Sequence, residues 1–158
     1  MRRCIVHVKE VMTKDPQTCS PETNLAAAAA IMLEADCGIL PVVADGKLVG
    51  VVTDRDMYIA LATRGKLASD ITVAEVAQSP VHTCGPEDDI HTVLDTMKQH
   101  RVRRLPVAGF EGSIVGVVSM NDIVLAVGPR HPVREAEVLG TLRAICSHHH
   151  PAPHVVAA

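Results

Sequence analysis

Aromatic side chains are almost missing from this chain of 158 residues, which has no Trp, one Tyr and one Phe. The core must therefore be aliphatic, and the aromatic platforms that stack single-stranded bases are lacking. A formal net charge of -3 leaves no basic excess for contacts to a phosphate backbone. We therefore expect no nucleic-acid partner.

Long apolar runs and paired cysteines are missing as well. No stretch approaches the ~20 apolar residues that span a bilayer, and the first residues carry no apolar signal segment. The five cysteines are scattered without a C-x-x-C pattern, which is typical of thiols in a reducing compartment. We expect a cytoplasmic protein with no membrane partner, in which Cys19 and Cys84 pack as small apolar core groups.

Motifs for catalysis and metal binding are also lacking. The sequence contains no catalytic triad, Walker phosphate loop or glycine-rich dinucleotide loop, so we predict a protein that is not an enzyme. Cys146, His148 to His150 and His154 cluster near the end of the chain, but adjacent histidines cannot all face one ion from a helix. We predict no metal site there. The histidines of the second half are expected at the surface: His82, His91 and His100.

What the chain does contain is an internal repeat. Four short segments of the first half return in the same order in the second half. The matches are Val8–Val11 with Val73–Val76, Thr18–Glu22 with Thr83–Glu87, Leu40–Val42 with Leu105–Val107, and Val49–Val52 with Val115–Val118. The spacing is constant until the last pair, where the second copy is longer by one residue in a glycine-containing turn. Order and spacing together predict a tandem repeat.

Each copy is predicted to be a β-α-β-β-α unit. In the first copy the expected elements are a short strand from Gln17 to Cys19, a helix from Asn24 to about Asp36, strands from Ile39 to Val43 and from Leu48 to Thr53, and a helix from Asp54 to about Thr63. A unit of about 55 residues buries too little surface to be stable alone. Two copies packed sheet to sheet would share one core.

These elements divide the chain into four parts. The first repeat is predicted over 6–65, a linker over 66–72, the second repeat over 73–128, and a C-terminal helix with a disordered tail over 129–158. The C-terminal helix carries an apolar stripe that must dock on its own module or on another subunit. We expect a dimer contact from this stripe, which contains Val138, Leu139, Leu142, Ile145 and Cys146.

A Thr/Ser-x-x-Asp motif stands at the end of each copy, where a strand leads into a helix. The two motifs are Thr53-x-x-Asp56 and Ser119-x-x-Asp122. One interpretation is a capping box, which needs no ligand. The other is a ligand site, because a carboxylate accepts two hydrogen bonds from a ribose diol and a hydroxyl contacts phosphate. Both roles are compatible with one side chain.

Two such units, each with Leu-Pro-Val in the middle and Gly-Val-Val at the end, resemble a tandem CBS-domain pair, also called a Bateman module, of the stand-alone type. The resemblance covers about residues 6 to 128. It implies an α+β fold with α/β layers and pseudo-two-fold symmetry. It also implies two clefts between the repeats that bind adenine nucleotides or S-adenosylmethionine, and frequent dimerisation.

The resemblance also assigns residues to the two clefts, each of which takes its Thr/Ser-x-x-Asp from one repeat and its other wall from the second. Cleft A would contain Thr53, Arg55, Asp56, Val81, Thr83, Arg103, Arg104 and Pro106. Cleft B would contain Ser119, Asn121, Asp122, Pro16, Thr18, Gly38, Ile39 and Pro41.

The two clefts differ in predicted charge. Arginine forks suit phosphate oxygens, so Arg55, Arg103 and Arg104 predict a phosphorylated ligand in cleft A. Cleft B, with uncharged residues at the matching positions, is predicted to hold a weaker, less charged ligand or none. The alternative for the arginine pair is a solvated strand edge or a salt bridge to Asp88 or Asp89.

The sequence thus favours a non-catalytic regulatory module. AMP, ADP, ATP or S-adenosylmethionine would be its regulatory ligand rather than an obligatory cofactor. Binding would rearrange the repeats or a homodimer, and an effector protein would read that rearrangement. The alternative is a structural interaction protein with empty clefts that docks a partner through its C-terminal helix.

Overall fold

The computed structural model of the chain describes residues 5–128 and 133–147. The fold is α+β, and in each repeat a pair of strands is followed by a helix. The helices are α1 Val8–Val11, α2 Leu25–Glu34, α3 Asp54–Arg64, α4 Ile90–His100, α5 Met120–Ala126 and α6 Glu135–Cys146. The strands are β1 Thr13–Lys14, β2 Ile39–Ala44, β3 Lys47–Thr53, β4 Arg104–Ala108 and β5 Ile114–Ser119. Single 3-10 turns are formed by Ala68–Asp70, Val73–Glu75 and Phe110–Gly112.

Local sequence explains where the helices begin and end. The Asn24 side chain accepts a hydrogen bond from the Ala27 amide at 2.9 Å and so caps the start of α2. Gly65 ends α3 with a φ of 61°, in the left-handed region that glycine adopts without strain. The helix predicted from Asn24 and the one predicted from Asp54 are both confirmed.

The strands form two separate sheets. Strands β2 and β3 make an antiparallel hairpin, while β4 and β5 make an equivalent hairpin that β1 extends in the order β1-β5-β4. The two hairpins share a register, since Ile39 lies opposite Thr53 and Arg104 lies opposite Ser119. The strand predicted from Gln17 to Cys19 is reduced to a single bridge between Cys19 and Val42.

The two repeats exchange their leading segments. Strand β1, near the start of the chain, pairs with β5 of the second repeat, and Val6 and Val8 are buried in the second repeat's core. Conversely, Ile71 is 0% exposed in the core of the first repeat. The predicted linker 66–72 therefore forms part of the first repeat, because burial of the Ile71 side chain in that core stabilises the fold.

Each repeat has its own aliphatic core, and a smaller apolar cluster joins them. The first core is centred on Leu25, Leu40, Val52 and Ile71, and the second on Ile90, Leu94, Leu105, Val118 and Ile123. The joining cluster consists of Ile39, Val51 and Val117 with Val81 packed against it. The prediction of one shared core is therefore wrong, because each repeat buries its own apolar residues and the sheets meet only at this smaller cluster, which lies next to the clefts.

Helix α6 packs on α4 and α5 of its own chain. Val138 and Thr141 are 5% and 2% exposed, and the partly buried Leu142 packs against the second core. The apolar stripe expected to form a dimer contact is therefore mostly covered within the chain, although Leu139 remains 56% exposed. The tail predicted to be disordered lies outside the described residues, as do His148 to His150 and His154.

One histidine prediction is wrong. His91 was expected at the surface, but its ring is half-buried and its Nδ1 lies 2.8 Å from Glu137 Oε1, which ties α4 to α6. His82 and His100 stack with their ring centroids 3.6 Å apart. The prediction for His91 was wrong because its partner, Glu137, lies on α6, outside the repeat.

The cysteine prediction is confirmed. Cys19 and Cys84 are buried in the first and second cores. Burial raises the pKa of the Cys19 thiol to about 11 and that of Cys84 to about 12, the latter with a contribution from nearby Asp88. Both side chains are therefore neutral apolar groups at ordinary pH.

Candidate ligand clefts between the repeats

Both Thr/Ser-x-x-Asp motifs form capping boxes. Thr53 Oγ1 accepts a hydrogen bond from the Asp56 amide at 3.2 Å, and Asp56 Oδ2 accepts from the Thr53 amide at 3.1 Å. Ser119 and Asp122 repeat this arrangement, with distances of 3.1 and 2.7 Å. The capping interpretation is confirmed, and it uses only one oxygen of each carboxylate.

The second oxygen of each carboxylate distinguishes the clefts. Asp56 Oδ1 accepts a hydrogen bond from Gln78 Nε2 at 2.7 Å. Asp122 Oδ1 lies 3.3 Å from Thr13 Oγ1, a longer and weaker contact. Thr13 and Gln78 hold equivalent places, since the first lies opposite Val117 and the second opposite Val51. The longer side chain of Gln78 therefore engages Asp56 Oδ1 in cleft A, whereas the shorter side chain of Thr13 leaves Asp122 Oδ1 more accessible in cleft B.

A cavity of about 430 Å³ opens at cleft B. Its size lies within the range of small-molecule sites. It is lined by Thr13, Asp15, Pro16, Gln17, Ala35, Asp36, Cys37, Gly38, Ile39, Arg104, Val117, Ser119, Asn121 and Asp122. Six of these belong to the predicted set for cleft B, and the predicted Thr18 and Pro41 do not line the cavity. Pro41 is buried in strand β2, where its carbonyl accepts from the Cys19 amide at 3.1 Å.

Several lining residues were missed from the sequence. Asp15 and Asp36 each adopt a φ of 48°, which places them in turns that lead into and out of the repeat elements. Neither belongs to a repeated motif, because the equivalent positions in the second copy are Pro80 and Arg101. A single sequence does not show that these two turns lie beside the Ser119–Asp122 junction.

The arginine pair does not serve cleft A. Arg104 lines cleft B, and Arg103 Nη2 lies 3.6 Å from Cys146 Sγ on helix α6. Neighbouring residues at a strand point to opposite faces, so two adjacent arginines cannot both reach one cleft. The prediction that both bind phosphate in cleft A is therefore wrong. Neither arginine makes the alternative salt bridge to Asp88 or Asp89 within the described ranges.

Gly38 allows Arg104 and Asp54 to approach the wall of cleft B. A Cβ atom on Gly38 would lie 2.9 Å from Asp54 Oδ2 and 3.4 Å from Arg104 Nη2. A side chain at position 38 would therefore displace the Asp54 carboxylate, whereas its distance to Arg104 Nη2 is an ordinary van der Waals contact. Arg104 is half-buried, and within the part of the chain that the structure describes its guanidinium has no hydrogen-bonding or ion-pair partner.

The residues predicted for cleft A are not gathered in the same way. Asp56 lines a smaller cavity of about 210 Å³, whose other residues come from α3 and the turn near Glu75. Val81 packs against the joining apolar cluster, Pro106 is buried in β4, and Arg55 and Thr83 are exposed. The structure thus brings an accessible carboxylate, an arginine and a cavity together at cleft B.

Comparison with known proteins gives a family match over most of the chain. The CBS domain model matches residues 8–63 and 73–129. The CBS domain-containing protein YhcV of Bacillus subtilis is 31% identical over 118 residues, which are 75% of this chain and 83% of that protein. Hypoxic response protein 1 of Mycobacterium tuberculosis is 32% identical over 140 residues, which are 88% of this chain and 93% of that protein.

Solved structures show the same fold. The crystal structure of Hypoxic Response Protein I with two coordinated zinc ions has a TM-score of 0.70 at 31% identity, and covers 78% of this chain and 100% of that one. The CBS domain pair of protein MJ0100, in complex with 5'-methylthioadenosine and S-adenosyl-L-methionine, has a TM-score of 0.71 at 29% identity. That match covers 77% of this chain and 95% of the other.

Among residues 5–128 and 133–147, no group of three His, Cys, Asp or Glu side chains is placed to hold a metal ion. No helix in these ranges is long and apolar enough to cross a bilayer.

Proposed function

The chain belongs to the CBS-domain family, and from this premise we propose that it is a non-catalytic regulatory module that binds an adenosyl ligand in cleft B. The observation that carries the proposal is the cavity of about 430 Å³ at the Ser119–Asp122 junction, which both repeats line. The ligand is regulatory, and no obligatory cofactor is needed. The similar MJ0100 pair binds two adenosyl compounds, which supports this ligand class.

The lining of cleft B matches the parts of an adenosyl ligand. Asp122 Oδ1, which the capping box does not use, accepts the ribose hydroxyls. Ile39 and Val117 offer an apolar slot for the adenine ring. Arg104, which has no ion-pair partner among the described residues, meets an anionic group of the ligand. Binding would thereby connect β2 of the first repeat with β4 and β5 of the second.

That connection is the basis for signalling. A ligand that contacts both repeats favours the arrangement in which its contacts are complete, and it shifts the population towards that arrangement. An effector protein that binds one arrangement better than the other then senses the ligand. AMP, ADP, ATP and S-adenosylmethionine all contain the adenosine part on which this mechanism depends.

We also propose a homodimer formed through α3 and α5. Tyr58 and Leu125 are 73% and 85% exposed on these helices, and Ile59 and Val124 add further exposed apolar surface. Tyr58 is equivalent to Val124 in the repeat, and Ile59 to Leu125. Exposed apolar surface of this kind is typical of an interface. Light scattering should show that Leu125→Asp converts a dimer into a monomer. Leu33→Asp, at another exposed leucine on α2, should leave the dimer intact.

The structure gives less support to docking through the C-terminal helix. The buried face of α6, with Val138 and Thr141, already packs against the second repeat. A partner that used this face would first have to displace it. We therefore favour the ligand-binding module over the interaction protein with empty clefts.

Calorimetric titration with 5'-methylthioadenosine, AMP and S-adenosylmethionine tests the proposal. Asp122→Asn should weaken binding about tenfold or more, because a charged acceptor for the ribose is lost. Asp56→Asn is the matched control, since it alters the same capping box in the other repeat. It should leave the affinity unchanged. Equal losses in both variants would contradict the assignment to cleft B, and the lack of binding by any adenosyl compound would overturn the proposed function.

A further inference from the structure

We infer that cleft B selects adenosyl ligands with no more than one anionic group and discriminates against nucleoside di- and triphosphates. This inference rests on the proposed function, because it assumes that the ligand occupies cleft B. It specifies which members of the adenosyl class the cleft accepts. The charges that line the cavity favour this selection.

Carboxylates outnumber cations on the cavity wall. Asp15, Asp36 and Asp122 line it, and Arg104 is its only cationic side chain among the described residues. Asp122 is directed to the ribose, so Asp15 and Asp36 remain as negative charges facing the rest of the ligand. Neither has a hydrogen-bonding or ion-pair partner for its side chain within the described ranges. Their charge is therefore not neutralised by the protein.

Arg104 provides for one anionic group. Its Nη2 would lie 3.4 Å from a Cβ on Gly38, beside the wall formed by residues 36–38, and Asp54 Oδ2 lies on the same side. A carboxylate or a single phosphate on the ligand can pair with this guanidinium. Each further phosphate would extend past it towards carboxylates, and like charges repel.

Two kinds of ligand fit this arrangement. A neutral adenosyl thioether places no charge near Asp15 and Asp36. An adenosyl compound with an amino-acid side chain carries one carboxylate for Arg104, and its sulfonium and ammonium groups are attracted to the two aspartates. A triphosphate carries about four negative charges at neutral pH. Arg104 can pair with only one of its phosphates, and Asp15 and Asp36 repel the others.

Titrations without divalent metal test the selection. The wild-type protein should bind 5'-methylthioadenosine and S-adenosylmethionine at least about tenfold more tightly than ATP. Asp15→Asn and Asp36→Asn should each strengthen ATP binding. In a solvent-open cleft, removing one carboxylate charge strengthens binding about threefold for each phosphate charge that lies about 7 Å from it. The ratio of ATP to 5'-methylthioadenosine affinity should rise in these variants, because the thioether carries no charge for either aspartate to repel. Because asparagine tolerates positive φ, the substitutions keep the backbone conformation.

Asp45→Asn is the matched control. Asp45 also has a positive φ, of 50°, but it lies in the β2–β3 turn and does not line the cavity. It should leave the ratio of ATP to 5'-methylthioadenosine affinity unaltered. Wild-type ATP binding as tight as that of 5'-methylthioadenosine, or an unchanged ratio in both cleft variants, would overturn this inference alone. Failure of every adenosyl compound to bind would overturn the proposed function as well.

Discussion

Exchanging the side chains of Thr13 and Gln78 should weaken ligand binding in cleft B and permit weak binding in cleft A. These residues hold equivalent positions on the two exchanged segments, opposite Val117 and Val51. Gln78 donates a hydrogen bond to Asp56 Oδ1, the oxygen that the capping box does not use, whereas Thr13 makes only a long contact with Asp122 Oδ1. We expect Thr13→Gln to engage Asp122 as Gln78 engages Asp56, and Gln78→Thr to release Asp56.

The size of the effect follows from one hydrogen bond. The bond from Gln78 Nε2 to Asp56 Oδ1 is 2.7 Å long and involves a charged acceptor. Buried bonds of this type contribute about 1.5–3 kcal/mol, but Gln78 is exposed, so about 1 kcal/mol is the appropriate figure. A ligand that needs the same oxygen must break that bond. Thr13→Gln should therefore weaken adenosyl binding about fivefold.

Calorimetric titration of 5'-methylthioadenosine measures both affinity and stoichiometry. Thr13→Gln should raise the Kd with no change in the number of sites. Gln78→Thr should keep the original affinity and add a second, weaker binding event. The double exchange should show both events, with the original one weakened about fivefold. Urea unfolding serves as the control, since β1 is a two-residue edge strand whose Thr13 is exposed, and its substitution should cost little stability.

Two results would refute this reasoning. If Thr13→Gln is folded and binds with wild-type affinity, the free oxygen of Asp122 does not contact the ligand. If Gln78→Thr weakens binding as much as Thr13→Gln does, the hydrogen bonds of these two residues are not what makes the clefts unequal. Both results can be distinguished from misfolding by the urea midpoint.

Three further predictions concern stability. Ile71→Ala should lower the free energy of unfolding by about 2–5 kcal/mol, measured in urea, since Ile71 is fully buried in the first core; a loss below about 0.5 kcal/mol would mean that the segment is a linker. Glu137→Gln should cost about 1 kcal/mol and speed amide exchange in α6, because it weakens the bond to His91; unchanged exchange would contradict that tie. Burial raises the pKa of Cys19 from 9.0 to about 11 and that of Cys84 from 9.0 to about 12. The stability that the neutral thiols contribute is therefore complete below pH 9, and each thiol loses about 1 kcal/mol of it per pH unit as the pH rises from 9 towards its folded pKa. Urea midpoints of Cys→Ala variants that stay as pH-sensitive as the wild type would refute this.

The parts of the fold that depend on local sequence were predictable. The helices after Asn24 and Asp54 and both capping boxes follow from patterns within a few residues, and the repeat follows from short matches in constant order and spacing. The exchange of leading segments was not, because it depends on which sheet edge β1 reaches. A two-residue strand such as Thr13–Lys14 carries no periodic signal of its own.

The error in the arginine assignment has a different origin. Arg103 and Arg104 were treated as one group because they are adjacent, although a strand directs neighbouring side chains to opposite faces. Applying that alternation would have separated them, since Arg104 lies opposite Ser119 at the cleft B junction. It would not have shown that Arg103 faces α6, because Cys146 lies outside the repeat.

The segment exchange also explains why the two clefts are unequal. Each Thr/Ser-x-x-Asp motif ends one repeat, but the residue that contacts its free carboxylate oxygen belongs to the segment that leads into the other repeat. That residue is Thr13 for Asp122 and Gln78 for Asp56. The segments that carry them are held by burial of Val8 in one core and Val73 in the other. A difference in sequence between these two short segments is therefore enough to leave Asp122 accessible in cleft B and to occupy Asp56 in cleft A, with no change in either core.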